Sequence, residues 1–293
     1  MLQETVSRIV GVKNMSVGEL APFTGGGVAI DNRPVCCHKM PVFADFSDPD
    51  AQKNDYMEIP FWYIDPINLV TYLDDEELIG YEFTKRETNL DPVIRTIFEI
   101  DWRTLLNEID TGVYRFEIQD SQGAVLWSSF EYQLKQYHPI LASRTSRITY
   151  TKNSIVGGED QKFKYNFVDS GFKSQIRLAN THFEYLSAPV EVERVRLNDG
   201  RERPYKKAYS DRYEMIIAAI PSEYLAFLKY EILQCDTATF TDYSPDRPCG
   251  WRLVEKELEV DGDFEPVQKG NANINSLRLQ LIDAFSNTRK LYS

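Results

Sequence analysis

At 293 residues the chain is long enough for two ordinary domains, with one large domain as the alternative, since a single core stops growing near about 250–300 residues. Its 42% hydrophobic and 27% charged residues exclude a disordered chain, and a formal net charge of -12 argues against general binding along a nucleic-acid backbone, where Lys and Arg must displace counterions. The longest purely apolar run, Met215 to Ile220, is far short of the roughly 20 residues a membrane-spanning helix requires.

The N-terminus, Met1-Leu2-Gln3-Glu4-Thr5, has neither a basic start nor a sustained apolar stretch, so it does not read as a secretory signal. Residues 1–55 mix Gly25-Gly26-Gly27, Pro34, Pro41 and Pro49 without periodicity, and are expected to form an extended N-terminal arm that wraps a domain or orders on a partner.

A first β-sandwich domain is expected over residues 56–137. Its predicted strands are Ile59 to Ile64, Ile67 to Leu73, Ile79 to Thr84, Val93 to Ile100, Val113 to Gln119 and Val125 to Leu134. Val113-Tyr114-Arg115-Phe116-Glu117-Ile118 alternates bulky apolar residues at every second position, the period of a strand with one buried face. Asp101 is placed to cap a short helix from Trp102 to Glu108, with Gly112 just beyond its end.

A second sandwich is expected over residues 138–260. Its predicted strands are Arg147 to Thr151, Phe163 to Val168, Ser174 to Ala179, Val190 to Leu197, Tyr213 to Ala219, Thr237 to Tyr243 and Trp251 to Val260. Asn198-Asp199-Gly200 favours a tight hairpin turn. Pro221 suits the first position of a helix, in which Leu225, Leu228 and Ile232 make one apolar stripe. Residues 261–293 are read as a late strand, Asn275 to Ile282, and a second arm from Asp283. The fold class is thus mainly β, two sandwich-like domains with one short helix each and extended terminal arms.

Candidate chemistry is sparse, and no catalytic, cofactor-binding or metal-binding residue is assigned. His38, His138 and His182 sit in no nucleophile setting, and Cys36-Cys37 lacks the second ligand pair that structural zinc needs. Gly25-Gly26-Gly27 lacks the Lys-Ser/Thr of a phosphate-binding loop, and Gly157-Gly158-Glu159-Asp160 reads as a turn. Asp74-Asp75-Glu76-Glu77 is the densest acidic run and reads as a solvated loop, with catalysis or calcium as the alternative. Arg201, Arg203, Lys206 and Lys207 would project from a hairpin tip towards phosphate or an acidic neighbour, unless merely solvated. Trp62, Tyr63, Trp127 and Trp251 are either core residues or a sugar-stacking platform. The four cysteines are expected to be reduced, although Cys235 and Cys249 flank a turn-rich segment and would bridge if their strands paired.

Asp101-Trp102-Arg103-Thr104-Leu105-Leu106 before Gly112-Val113-Tyr114-Arg115-Phe116, followed by Tyr213-Glu214-Met215-Ile216, Pro221-Ser222-Glu223-Tyr224 and Cys235-Asp236-Thr237, resembles β-rich virion proteins of bacteriophages that infect Bacteroidetes, including crAss-like phages. The resemblance covers residues 56–260 as an order of strands and turns. It implies a non-enzymatic structural protein of the phage neck or tail, synthesised and assembled in the host cytoplasm and resident in the virion. Its implied partners are copies of itself in a ring around the DNA channel and other neck or tail proteins, with no membrane and at most passing contact with DNA. No cofactor is implied. A carbohydrate-binding or adhesion module is the alternative, and a glycan-processing enzyme stands behind it.

Overall fold

The computed structural model describes residues 39–91, 93–156, 165–187, 190–196, 201–244, 255–261, 265–268, 274–285 and 287–290. The first half contributes strands β1 (Met40–Ala44), β2 (Tyr56–Tyr63), β3 (Asn68–Leu73), β4 (Glu76–Glu77), β5 (Thr84–Asn89) and β6 (Ile94–Asp101), helix α1 (Trp102–Glu108), then β7 (Gly112–Gln119), β8 (Val125–Ser128) and β9 (Tyr132–Gln136). The second half follows with helix α2 (Pro139–Ala142), β10 (Thr145–Lys152), β11 (Ile155–Val156), β12 (Tyr165–Asn166), β13 (Phe172–Ala179), β14 (Thr181–Ser187), β15 (Val190–Arg196), β16 (Glu202–Tyr209) and β17 (Arg212–Pro221). Helix α3 (Ser222–Leu233), β18 (Thr237–Asp242), β19 (Lys256–Val260), β20 (Glu265–Gln268), β21 (Ile274–Asp283) and β22 (Asn287–Lys290) complete it. The fold is mainly β and sandwich-like, with several sheets and few helices.

In the first half, one sheet runs β1-β9-β7-β3-β4 with β8 also on β7, and a second runs β2-β6-β5. The alternation read in β7 is observed: Tyr114, Phe116 and Ile118 are buried, and Trp102 of α1 packs edge-on against Tyr114 and Phe116. Asp101 caps α1, its carboxylate accepting from the Arg103 backbone N–H at 3.0 Å and the Thr104 hydroxyl at 2.9 Å. Beyond the helix, Gly112 lies close to β3, where a Cβ would crowd the Leu73 Cδ1 methyl and make that side chain turn aside.

The second half is built on a sheet ordered β13-β10-β18-β19-β21-β17-β14, with β20 also on β21, and a separate three-stranded sheet β15-β16-β22. A two-stranded β11-β12 ladder brings Tyr165 to Trp62 of β2, and Phe167 follows it onto the same indole, at ring separations of 5.0 Å each. Buried residues from both halves belong to one contiguous apolar cluster running from Met40 to Leu281.

Side chains join the halves where backbone ladders stop. Glu58 of β2 accepts from the Lys173 backbone N–H, and the Ser174 hydroxyl and Gln175 side-chain oxygen accept from the N–H groups of Glu58 and Tyr56. Nearby, Asp55 receives Arg177 of β13 in a two-pronged contact, Nε to Oδ2 and Nη2 to Oδ1, both at 2.7 Å. Arg177 also donates to the Thr145 hydroxyl and lies over the Tyr243 ring at 4.3 Å. Burial opposes its charge, and the Asp55 carboxylate more than offsets that, so its pKa stands above the ordinary value.

Several sequence expectations are corrected. Residues 1–38 of the proposed first arm lie outside the described residues, and its remainder is structured from Met40: β1 pairs parallel to β9, and residues 45–55 lie against the second half, with Arg147 donating to the Ala51 carbonyl and Tyr243 to the Gln52 carbonyl. Residues 79–83 are not a strand, for Ile79 is 90% exposed and Gly80 has φ +80°; Tyr81 and Phe83 meet edge to face instead, with Phe83 reaching Phe116. The predicted Val125 to Leu134 strand is broken at Ser129, whose hydroxyl accepts from Phe116 N–H and donates to the Phe130 carbonyl. Two short helices, α2 and α3, stand where one was expected, and Pro221 closes β17 rather than opening α3. The expected C-terminal arm forms β22 on β16, in register from Tyr209↔Asn287 to Lys206↔Lys290.

Candidate assembly interface

The three-stranded sheet β15-β16-β22 stands apart from the other sheets in its chemistry. Every residue of β15 is exposed, including Val190 at 57%, Val192 at 39% and Val195 at 45%. Among the described residues no strand pairs with the outer edge of β15, which ends its sheet. Val190 opposes Tyr209 and Val192 opposes Lys207, and a bulge at Glu193/Arg194 shifts the register before Val195 meets Arg203. The period-2 rule places Val190 and Val192 on one face and Val195 on the other.

Charge distinguishes the sheet further. Its strands carry Arg194, Arg196, Arg203, Lys206, Lys207, Arg289 and Lys290 against Glu191, Glu193 and Glu202, a basic excess within a chain of net charge -12. Lys206 pairs with Glu193 across the ladder at 2.8 Å. The basic stretch read in the sequence therefore lies along β16 and its approach, and the turn at 197–200 lies outside the described residues. Exposed Tyr185 and Leu186 at the end of β14, and Phe285 just before β22, add apolar surface on the segments leading into the sheet.

The remaining candidates take structural places. Asp74 and Asp75 have φ of 49° and 70°, the left-handed pair of a two-residue hairpin between β3 and β4, and Asp74 accepts from the Val113 N–H at 3.0 Å. The acidic run is thus a turn. The aromatic platform does not form: Trp127 is fully buried, Trp62 packs against Tyr165 and Phe167, and Trp251 lies outside the described residues. Interior burial claimed both rings, Trp62 on β2, whose central residues are buried on both faces, and Trp127 on β8, which pairs with β7. His138 Nδ1 caps α2 by accepting from Ile140 N–H, and His182 lies on β14 opposite Ile216. Gly25-Gly26-Gly27, Cys36, Cys37, His38, Gly157-Gly158-Glu159-Asp160 and Cys249 lie outside the described residues. Among those described, no three His, Cys, Asp or Glu side chains converge as metal ligands would, and no helix is long and apolar enough to cross a membrane.

Cys235, between α3 and β18, donates its thiol to the Ile232 carbonyl at 3.1 Å, and burial pushes its pKa up to about 11. At pH 8 only about a thousandth of it is then thiolate, the reactive form. Alkylation of Cys235 by iodoacetamide, followed on its own peptide by mass spectrometry, should be roughly 100-fold slower in the native chain than in urea. Equal rates would show an accessible, ordinary thiol.

The edge strand itself escaped sequence reading as a site, because its signal is relational. Val-Glu-Val-Glu-Arg-Val-Arg alternates like any half-buried strand, and only the fold shows that nothing covers it among the described residues. No protein-family model matches the chain, and a search of curated proteins finds no match.

Proposed function

We propose that the chain is a non-enzymatic structural subunit of a bacteriophage virion, a neck or tail ring component, joined to its neighbours through the β15-β16-β22 sheet. The observation that carries the reading is the open β15 edge, seven exposed residues with three valines. Unpaired N–H and C=O groups on such an edge template another strand, and proteins that stay monomeric blunt them with bulges, prolines or inward charges. The bulge of this hairpin puts its extra residue, Tyr205, in β16, so β15 itself runs without an insertion and carries valine at 190, 192 and 195.

A second copy of this chain is the occupant that the charge favours. The sheet is basic and the chain as a whole is acidic, so one copy's sheet is attracted to the acidic surface of the next. Contact between unlike surfaces generates a ring when the rotation closes. The resemblance of the segments around α1, β17 and α3 to virion proteins supplies the class of assembly, and the net negative charge suits a wall past which DNA must slide without adhering.

Light scattering behind a sizing column, over a concentration series, tests this. The wild-type chain should form a closed oligomer, and Val192→Lys combined with Val195→Lys should leave a monomer of unchanged melting temperature, since exposed substitutions typically shift stability by no more than about 0.5 kcal/mol. An oligomer that survives both substitutions would remove β15 from the interface. A strict monomer that instead retains duplex DNA at low salt, more tightly in the lysine variant, would reassign the sheet to phosphate contact.

A further inference from the structure

Lys152 ends β10 and Glu231 lies in α3. Both side chains are fully buried, with Lys152 Nζ 2.9 Å from Glu231 Oε2. Around the nitrogen stand the rings of Tyr150, Phe167 and Phe172, at 5.6, 5.4 and 6.0 Å from their centroids. The second carboxyl oxygen, Glu231 Oε1, is buried without a hydrogen-bond partner. A buried ion pair offsets its desolvation only when its remaining lone pairs are satisfied, and inside this aromatic shell the carboxyl group has, besides Lys152, the Tyr150 phenol to interact with. Burial lowers the Lys152 pKa and raises that of Glu231, each against the attraction of its partner, so both shifts run in the direction of the neutral amine and neutral acid.

We propose that Lys152 and Glu231 condense into an intramolecular isopeptide bond, a secondary amide that ties the end of β10 to α3. The site holds the amine 2.9 Å from one oxygen of the carboxyl group that it would attack, with both side chains fully buried from bulk water. Well-oriented intramolecular reactants reach effective molarities on the order of 10⁵–10⁸ M, which lowers the barrier to their reaction, and the burial of the pair keeps bulk water from the amide once formed.

The step needs no oxidant or cofactor. A proton passes from the ammonium to the carboxylate, and the free Nζ lone pair attacks Cδ. The tetrahedral intermediate then loses its hydroxyl group together with one proton from nitrogen. The C–N bond forms, one C–O bond breaks, and amine plus carboxylic acid become amide plus one water. Tyr150 is two residues before Lys152 on the same face of β10, and its phenol interacts with the Glu231 carboxyl group. Burial, reinforced by that carboxylate, keeps the phenol protonated, so it can relay the proton to the departing hydroxyl. A cavity of ≈ 20 Å³ beside Tyr132, Tyr150, Ser174 and Phe227 has room for the released water.

Intact-mass spectrometry of the purified wild-type chain, followed by peptide mapping, tests the proposal without requiring any variant to fold. The expected mass is one water below that of the sequence, with a branched peptide joining Lys152 to Glu231 that survives hydroxylamine, and Lys152→Arg should lack both. A full sequence mass after prolonged incubation at neutral pH would overturn the bond. So would a water loss that hydroxylamine reverses and that maps to a succinimide at Asp199-Gly200 or Asp261-Gly262.

Discussion

Replacing Arg177 by Met should lower the unfolding free energy by about 3–5 kcal/mol, the usual cost of stranding one partner of a buried ion pair. Asp55 would keep the Phe43 N–H at 2.8 Å and Arg147 at 3.6 Å, but lose both prongs of its guanidinium contact. The damage should fall on the junction, because Asp55 belongs to the segment leading into β2 and Arg177 to β13. Adding Asp55→Asn to the same chain should recover part of the loss, since the charge that was stranded is then gone. Urea titrations of the two single variants and the double variant close the cycle. A single-variant cost below about 1 kcal/mol would mean that Arg147 alone satisfies Asp55.

Trp102→Ala should cost a similar amount, about 3–5 kcal/mol, through a different mechanism. The indole is 1% exposed and contacts Tyr114, Phe116 and Tyr132 at ring separations of 5.8, 5.7 and 5.4 Å. It also lines the ≈ 20 Å³ interior cavity, together with Met57, Ile59 and Ile176. Truncation would therefore enlarge an existing void between rigid strands, where collapse is hindered on all sides. Trp102→Phe, which refills most of the space, should cost well under half as much. Equal midpoints for Trp102→Ala and wild type in guanidinium would show that the core relaxes around the site.

Short-range pattern carried most of what the sequence disclosed about the fold. β7, α1 and its Asp101 cap, β21 and the β15 to β16 hairpin each announce themselves within ten residues, by alternation, a capping carboxylate or an Asp-Gly turn. The elements that stayed hidden are those whose reason lies elsewhere in the chain. Met40–Ala44 carries a proline and no alternation, and becomes a strand because β9 supplies its parallel partner. Thr84–Asn89 is exposed throughout and owes its form to β6. Buried charge was equally invisible: Asp55, Arg177, Lys152 and Glu231 look like surface residues in sequence, and only tertiary pairing takes them inside. The candidate interface was half legible, as a basic hairpin, while the β15 edge, to which no strand pairs among the described residues, appears only in the assembled sheet.

The Asp55 to Arg177 contact also sets a schedule for biogenesis. The partners are separated by 122 residues, so a nascent chain growing at roughly 5–20 residues per second must wait some ~6–24 s before Arg177 exists to meet Asp55. During that interval the edge of β2 that adjoins β13 stands open on the ribosome, beside further copies emerging from the same polysome. Translation rate between codons 55 and 177 thus becomes a determinant of yield, and synonymous slowing there should increase aggregation of a chain whose finished form is unaltered.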